Sequence, residues 1–222
     1  MKITIVYDND IYAKNRGLKS GWGYSCLLEV DDKKVLFDTG WDGEILVSNL
    51  NKLDFDVRDI DLIVLSHQHW DHIGGLNHIL NENLNIDVWV PKSFSKRLKA
   101  EISTKAQLFE VAGRTTQVCE NVFTTGELGR TIIEQSLIVK ISKGLLVITG
   151  CAHPGVKLIL ERASSIGDVC GLMGGLHDFS QLDLLKKLNL IVASHCTKYK
   201  DDISRAFPGS FKEGGVGREI VL

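Results

Sequence analysis

Short apolar runs separated by polar turns fill the first forty residues. Residues 2–7 (KITIVY), 24–30 (YSCLLEV) and 34–40 (KVLFDTG) read as strands, and the polar Asp31-Asp32-Lys33-Lys34 predicts an antiparallel hairpin between the last two. Ile45, Leu46, Leu50 and Leu53 then recur at helical spacing. Residues 61–66 (DLIVLS) form a buried strand, after which Ile73, Leu76, Ile79 and Leu80 return to a helical period, with Asp71 placed to cap the first turn. A strand at 86–90 (IDVWV) precedes a polar stretch, 91–126, with no readable period. Residues 136–150 (SLIVKISKGLLVITG) predict two strands about the Ser142-Lys143-Gly144 turn. Thereafter 156–165, 182–188 and 201–207 have helical patterns, while 168–173 and 190–194 read as short strands. No repeat or long linker divides the pattern, so the expectation is one α/β domain over residues 1–222.

Composition adds limits. A chain of 222 residues, 44% apolar and 24% charged, matches an ordinary soluble globular protein with one sizeable core. The net charge of -2 gives no electrostatic reason to expect nucleic acid or an anionic membrane as partner. The first apolar run is shorter than the h-region of a signal peptide, and no apolar stretch reaches the ~20 residues of a spanning helix. A cytoplasmic protein is therefore expected. Five cysteines, odd in number and without C-x-x-C spacing, argue against a disulfide framework and a thiolate zinc ribbon. Cys151 and Cys196 are either buried small residues or soft ligands, burial being the commoner state.

The chemistry concentrates in VLSHQHWDHIGG, residues 64–75, which spends three of the seven histidines within six residues. His67 and His69 lie two apart at the end of a strand, where alternation sends both side chains to one face as a pincer for a metal ion. Asp71 and His72 come where the chain turns into the next helix, so they leave in another direction and can face a second ion. The Gly74-Gly75 pair lets that helix sit close to the sheet. Three further histidines follow predicted strands, where α/β sheets collect functional residues: His153 in GCAHPG, His177 in GGLH and His195 in SHCT. His78, six residues beyond His72, points elsewhere and is read as a solvated or packing residue.

With these residues assembled, the sequence resembles the metallo-β-lactamase-fold superfamily, whose H-x-H-x-D-H motif is matched by His67, His69, Asp71 and His72. Phe37-Asp38-Thr39-Gly40 is similar to that superfamily's first motif, in which the aspartate supports the metal loop. GCAHPG, GGLH, SHCT, GRTTQV and EQSL are similar to the subgroup of dihydropterin ribofuranosyl-aminobenzene phosphate synthase-like metal-dependent hydrolases. The resemblance implies an αβ/βα four-layer sandwich with two mixed sheets and a site on one edge holding one or two divalent ions. By that pattern His67, His69 and a later histidine hold the first ion, and Asp71, His72 and His195 the second. One departure stands out: where many members carry a bridging aspartate, this chain has Thr149-Gly150-Cys151-Ala152-His153. An imidazole has one free lone pair, so His153 can bind an ion but is a poor bridge: either hydroxide alone bridges the pair, or another carboxylate such as Glu134, Asp168 or Asp178 enters, or one site is weak.

The chemistry expected is metal-assisted attack on an ester or phosphoester of a small molecule, with Asp71 orienting the attacking water and His177 either a ligand or an acid facing substrate. The subgroup implies a second use, condensation of a pterin pyrophosphate with an aromatic amine. A third reading is a non-catalytic metal-binding or regulatory protein. A di-iron redox reading is disfavoured because His69 stands where that branch commonly has glutamate. Arg114, with Arg130 and Arg218, is a candidate for a phosphate-bearing substrate, and Trp22 and Trp70 are candidates to stack on a planar ring. Imidazole with carboxylate suits zinc first, with iron or manganese as alternatives.

Overall fold

The computed structural model describes residues 1–84 and 86–222. In chain order the first strands are β1 (Lys2–Tyr7), β2 (Ser25–Val30), β3 (Lys33–Phe37), β4 (Leu62–Val64), β5 (Asp87–Pro91) and β6 (Gln107–Val111). They are followed by β7 (Thr116–Cys119), β8 (Val122–Thr124), β9 (Leu137–Ile141), β10 (Gly144–Thr149), β11 (Val169–Gly175), β12 (Leu190–Ser194) and β13 (Glu219–Val221). The helices are α1 (Gly43–Lys52), α2 (Trp70–Ile73), α3 (Leu76–Glu82), α4 (Lys96–Ser103), α5 (Val156–Ser164) and α6 (Lys200–Ala206).

The strands form a seven-stranded sheet, β13-β1-β2-β3-β4-β5-β6, and a six-stranded sheet, β12-β11-β10-β9-β8-β7. Both are mixed. The β1-β2-β3 meander is antiparallel and β3-β4-β5-β6 parallel; β10-β11-β12 is parallel and β7-β8-β9-β10 antiparallel.

Three apolar clusters show how four layers are stacked. Cys26, Leu28 and Val30 of β2 meet Leu146 and Ile148 of β10 between the sheets. The alternate Leu27 faces outward, onto a cluster with Leu46 and Leu50 of α1 and Ile79 of α3. On the far side, Leu145 and Val147 face Val156 and Ile159 of α5 and Ile203 of α6. Period-two alternation thus serves two cores from one strand, which is why these strands read as continuous apolar runs. The αβ/βα sandwich with two mixed sheets is the expected architecture.

Three sequence expectations need correction. The helix after the motif is broken into α2 and α3, because the His72 carbonyl is taken by the Thr39 N–H at 2.7 Å and the Thr39 hydroxyl at 3.0 Å, outside the helical ladder. Gly74 and Gly75 make that contact possible: a Cβ on them would come within 2.1 Å of the Trp41 carbonyl and 2.3 Å of the Thr39 carbonyl. Asp71 is not the cap; His69 occupies that position without a side-chain cap, and Asp71 lies inside the first turn. Of 182–188 only Leu182–Leu185 is helical, as a 3-10 turn. The unreadable stretch holds α4, which buries only Ile102, and the half-exposed β6, so neither prints a strong period.

Candidate metal centre

Parallel strands deliver the site. Asp38 follows β3, His67 follows β4, and the loops after β10, β11 and β12 carry His153, His177 and His195. The carboxyl ends of these strands share one edge of the sandwich.

Among the described residues four overlapping groups of side chains converge there, the atoms of each within 4.8 Å: His67, His69 and His153; Asp71, His72 and His195; and two that add cysteines, His67, His72 and Cys151, and Cys151, His195 and Cys196. His67 Nε2 lies 3.0 Å from His69 Nδ1. Two nitrogens bound at the usual zinc distance in tetrahedral array are about 3.3 Å apart, so the pair is close to a ligand geometry. Asp71 Oδ2 lies 3.3 Å from His195 Nε2 and 3.8 Å from His72 Nε2. The groups adjoin, with the His67 and His72 rings 4.2 Å apart.

A buried network orients the first half. Asp38, fully buried, accepts from Ser66 N and Ser66 Oγ at 2.7 Å and pairs with His72 Nδ1 at 2.7 Å. Ser66 Oγ, its hydrogen given to Asp38, accepts from His67 Nδ1 at 2.9 Å. Both rings are thereby fixed in the tautomer whose Nε2 lone pair faces the cluster. His195 is oriented likewise by Asn9 Oδ1 at 2.9 Å from its Nδ1, and Asn9 Oδ1 also accepts the Gly23 N–H at 3.1 Å.

The second half is held through its backbone. Glu134, fully buried, accepts the N–H groups of Gly150, Cys151 and Ala152 on Oε1 and of His153 on Oε2, at 2.9–3.1 Å. Ala152, His177 and His195 have φ of 58°, 48° and 48°, and Asp38 has 57°. Among the described residues, four of the seven non-glycine residues with positive φ therefore gather at this edge, where backbone strain commonly marks function.

The electrostatics fit cation ligands. Burial, then neighbouring histidines, pushes His67 well below the usual imidazole range and His153 down to about 4. Burial also lowers His69 and His195. His72 is opposite: burial pushes it down, but Asp38 more than offsets this and raises it. Asp71 is held at about 2, burial being outweighed by the neighbouring His195 and His72 imidazoles. His67, His69, His153 and His195, pushed toward the neutral form beside an ionised Asp71, have the protonation states that metal binding needs, whereas His72 would have to give up a proton. His153 Nε2 and His195 Nε2 are buried without a hydrogen-bond partner, so the cluster is incomplete as a purely protein structure.

Several expected residues fall elsewhere. His177 sits at the rim, half-exposed, its ring 5.0 Å from His153 and its Nδ1 3.1 Å from Asp178 Oδ2; it joins none of the ligand groups. Glu134 is committed to backbone donors, Asp168 lies at the amino end of β11, away from the site edge, and Asp178 is exposed. His78, by contrast, is exposed against Gly43, the solvated or packing position expected of it. Arg114 is exposed on the turn between β6 and β7, and among the described residues no hydrogen bond or ion pair joins its side chain to the cluster. Arg218 instead stacks 4.5 Å over Tyr12. Arg130 lines a hollow of about 430 Å³ with His153, and Lys157 lines a neighbouring one of about 330 Å³ with His153 and His177. Trp22, 59% exposed, stands 5.3 Å edge-on to His195. Asn9, Ser66 and Trp41 were not signalled by the sequence, because their roles depend on partners distant in the chain.

These features define a cluster of histidines and an aspartate that could hold a metal ion, at the open edge of an αβ/βα sandwich. The chain belongs to the metallo-beta-lactamase superfamily, whose family profile matches residues 23–195. It is 28% identical, over 92% of this chain and 90% of the relative, to a 7,8-dihydropterin-6-methyl-4-(beta-D-ribofuranosyl)-aminobenzene-5'-phosphate synthase of Methanocaldococcus jannaschii. A probable metallo-hydrolase of the same organism is 27% identical over 91% of this chain and 94% of its own length. Among solved structures, a metal-dependent hydrolase of the beta-lactamase superfamily superposes with a TM-score of 0.80 at 25% identity, covering 100% of this chain and 99% of the other. Among the described residues no helix is long and apolar enough to cross a membrane.

Proposed function

We propose that the protein is a metal-dependent hydrolase of small phosphoesters or esters. The observation that carries this reading is the pair of ligand groups, His67-His69-His153 and Asp71-His72-His195, with two buried imidazole nitrogens left unpartnered between solvent and sheet. These six residues would hold one or two divalent ions, zinc by preference and iron or manganese as alternatives. Such an ion supplies a Lewis acid and lowers the pKa of water from about 15.7 toward about 7.

The chain's own residues do the rest. Asp71, 14% exposed and ionised, accepts a proton at Oδ2 and passes it toward solvent. His177, held through Nδ1 by Asp178, presents its other nitrogen from the rim and donates a proton to the leaving oxygen. Arg130 and Lys157, flanking His153 from two sides, bind an anionic phosphate in place of Arg114.

A second reading has its own support. Trp22, Trp41 and Trp70 are 59%, 56% and 68% exposed; the Trp22 ring stands 5.3 Å from His195, and Trp70 directly precedes Asp71 in the chain. Exposed indoles beside a polar site suit a planar ring, as group transfer onto an aromatic amine requires. One assay separates these. With added zinc or manganese, hydrolysis of p-nitrophenyl phosphodiesters that is abolished by chelation and by Asp71→Asn supports the hydrolase. Pyrophosphate release only when an aromatic amine accompanies a pterin pyrophosphate supports the transferase, and turnover of neither class contradicts both.

A further inference from the structure

We propose that Cys151 and Cys196 form an oxidation site, a pair of thiols that closes to a reversible disulfide over the end of β11. In the second sheet β11 lies between β10 and β12. Cys151 stands just past the end of β10, and Cys196 just past the end of β12. Two strands with a third between them run about 9.5 Å apart, more than the roughly 7 Å that a disulfide spans between Cα atoms. The two sulfurs nevertheless lie 3.3 Å apart. Each cysteine sits beside a residue of left-handed backbone, Ala152 at φ 58° and His195 at φ 48°, where the chain leaves its strand direction. Gly175, the last residue of β11, leaves the space in which the pair meets. A Cβ there would come within 2.8 Å of Cys196 Sγ and 3.3 Å of Cys151 Cα. A side chain at that position would therefore push the sulfurs apart.

The two thiols are not equivalent. Cys196 is half-buried, whereas Cys151 is 3% exposed and lies behind it. The Glu134 carboxylate, which accepts the Gly150, Cys151 and Ala152 N–H groups, holds the Cys151 backbone in place. Among the described residues no other cysteine sulfur has a second sulfur as hydrogen-bond partner; Cys170 Sγ donates to the Leu145 carbonyl instead. The oxidant that fits a thiol reached from the sandwich edge is a small hydroperoxide, hydrogen peroxide being the simplest. Cys196 sulfur attacks one peroxide oxygen, so an S–O bond forms, the O–O bond breaks, and the peroxide is reduced to water while Cys196 becomes a sulfenic acid. Cys151 sulfur then attacks Cys196 sulfur: the S–S bond forms, the S–O bond breaks, and the departing hydroxide leaves as water with the Cys151 proton. Two thiols and one hydrogen peroxide thus give one disulfide and two waters. The sulfurs need to approach by only about 1.2 Å to reach bonding distance. The bond would tie the loop that carries His153 to the loop that carries His195 and spare Cys196 from irreversible further oxidation.

The test is thiol counting by mass spectrometry on the whole chain as purified, treated with one equivalent of hydrogen peroxide, denatured and alkylated. The oxidised wild type is expected to lose two hydrogen atoms, to carry two fewer alkyl groups than the reduced protein, and to yield a peptide joining Cys151 to Cys196. A dithiol reductant should restore both thiols. Cys196→Ser should show no reaction at Cys151, Cys151→Ser should accumulate a sulfenic acid on Cys196 that dimedone traps, and Cys119→Ser should leave the disulfide unchanged. Should Cys151→Ser fail to fold, the linked peptide from the wild type still decides. Full alkylation of Cys151 and Cys196 after peroxide, or oxidation that instead joins Cys119 or two chains, overturns the inference. Neither result depends on a bound metal ion, so its failure leaves the proposed function standing.

Discussion

The two halves of the cluster are built by different means. On the first sheet, His67 and His72 are aimed by side chains, through the buried Asp38-Ser66 network. On the second sheet, His153 is aimed by backbone, through the Glu134 cradle and the positive φ of Ala152. The His67 and His72 rings find partners within the protein, whereas on the second sheet, where the Asn9 side chain aims His195, His153 Nε2 and His195 Nε2 have no hydrogen-bond partner. Preorganisation by side-chain hydrogen bonds gives a fixed platform, and the strained loops present two imidazole nitrogens free to bind a cation. The sandwich core between Met173, Ile148 and Phe37 holds the two halves in register.

That contrast predicts a ranking of effects. The largest is expected for His67→Ala, which removes a ligand from the rigid half: kcat/KM falls about a thousandfold, several kcal/mol of transition-state charge stabilisation, with metal content falling in parallel by elemental analysis. Next comes Glu134→Ala, which leaves three buried N–H groups and the part-buried one of His153 without an acceptor. Denaturant unfolding should show a loss of about 3 kcal/mol, and metal affinity should fall because His153 is no longer placed. Asp38→Asn keeps the volume but alters the support of His72, and isothermal titration should show a loss of roughly 10–100-fold in metal affinity.

Acidification of the metal-free protein sharpens the comparison. His153 is held at about 4 against a usual 6.5, so between those values the unfolded chain takes up a proton that the fold refuses. Its contribution to stability is full above pH 6.5 and lost as pH falls toward 4. His67, His69 and His195 act in the same sense, while His72, raised by Asp38, opposes them. The melting temperature without metal should fall by several degrees from pH 7 to pH 4.5, and metal should suppress much of the drop near neutrality. The smallest effect is expected for Trp70→Ala: unfolding within about 0.5 kcal/mol of the wild type, with KM for planar substrates raised while metal content is unchanged.

The same contrast explains what the sequence made legible. The first half is local: His67, His69, Asp71 and His72 lie within six residues, so their convergence can be read from strand alternation followed by a turn. The second half depends on loops after three parallel strands. Position after a strand found His153 and His195, but no local signal told that His177 stays at the rim. Glu134 was a candidate bridge because sequence shows a carboxylate and cannot show four backbone donors claiming it. Asn9 reaches His195 across 186 positions and Cys151 reaches His72 across 79, distances that only tertiary packing sets. In the fold, β6 and α4 escaped notice because an edge strand and a helix with one buried residue print little periodicity. The break between α2 and α3 was hidden because it arises from Thr39, on another strand's end.

The measurement that tests this account most directly is metal content per chain in protein purified without added metal, alongside His67→Ala and His153→Ala. A centre built from both halves predicts about two ions per chain, falling in either variant. Less than about a tenth of an ion, with no uptake from excess zinc, manganese or iron, would contradict it.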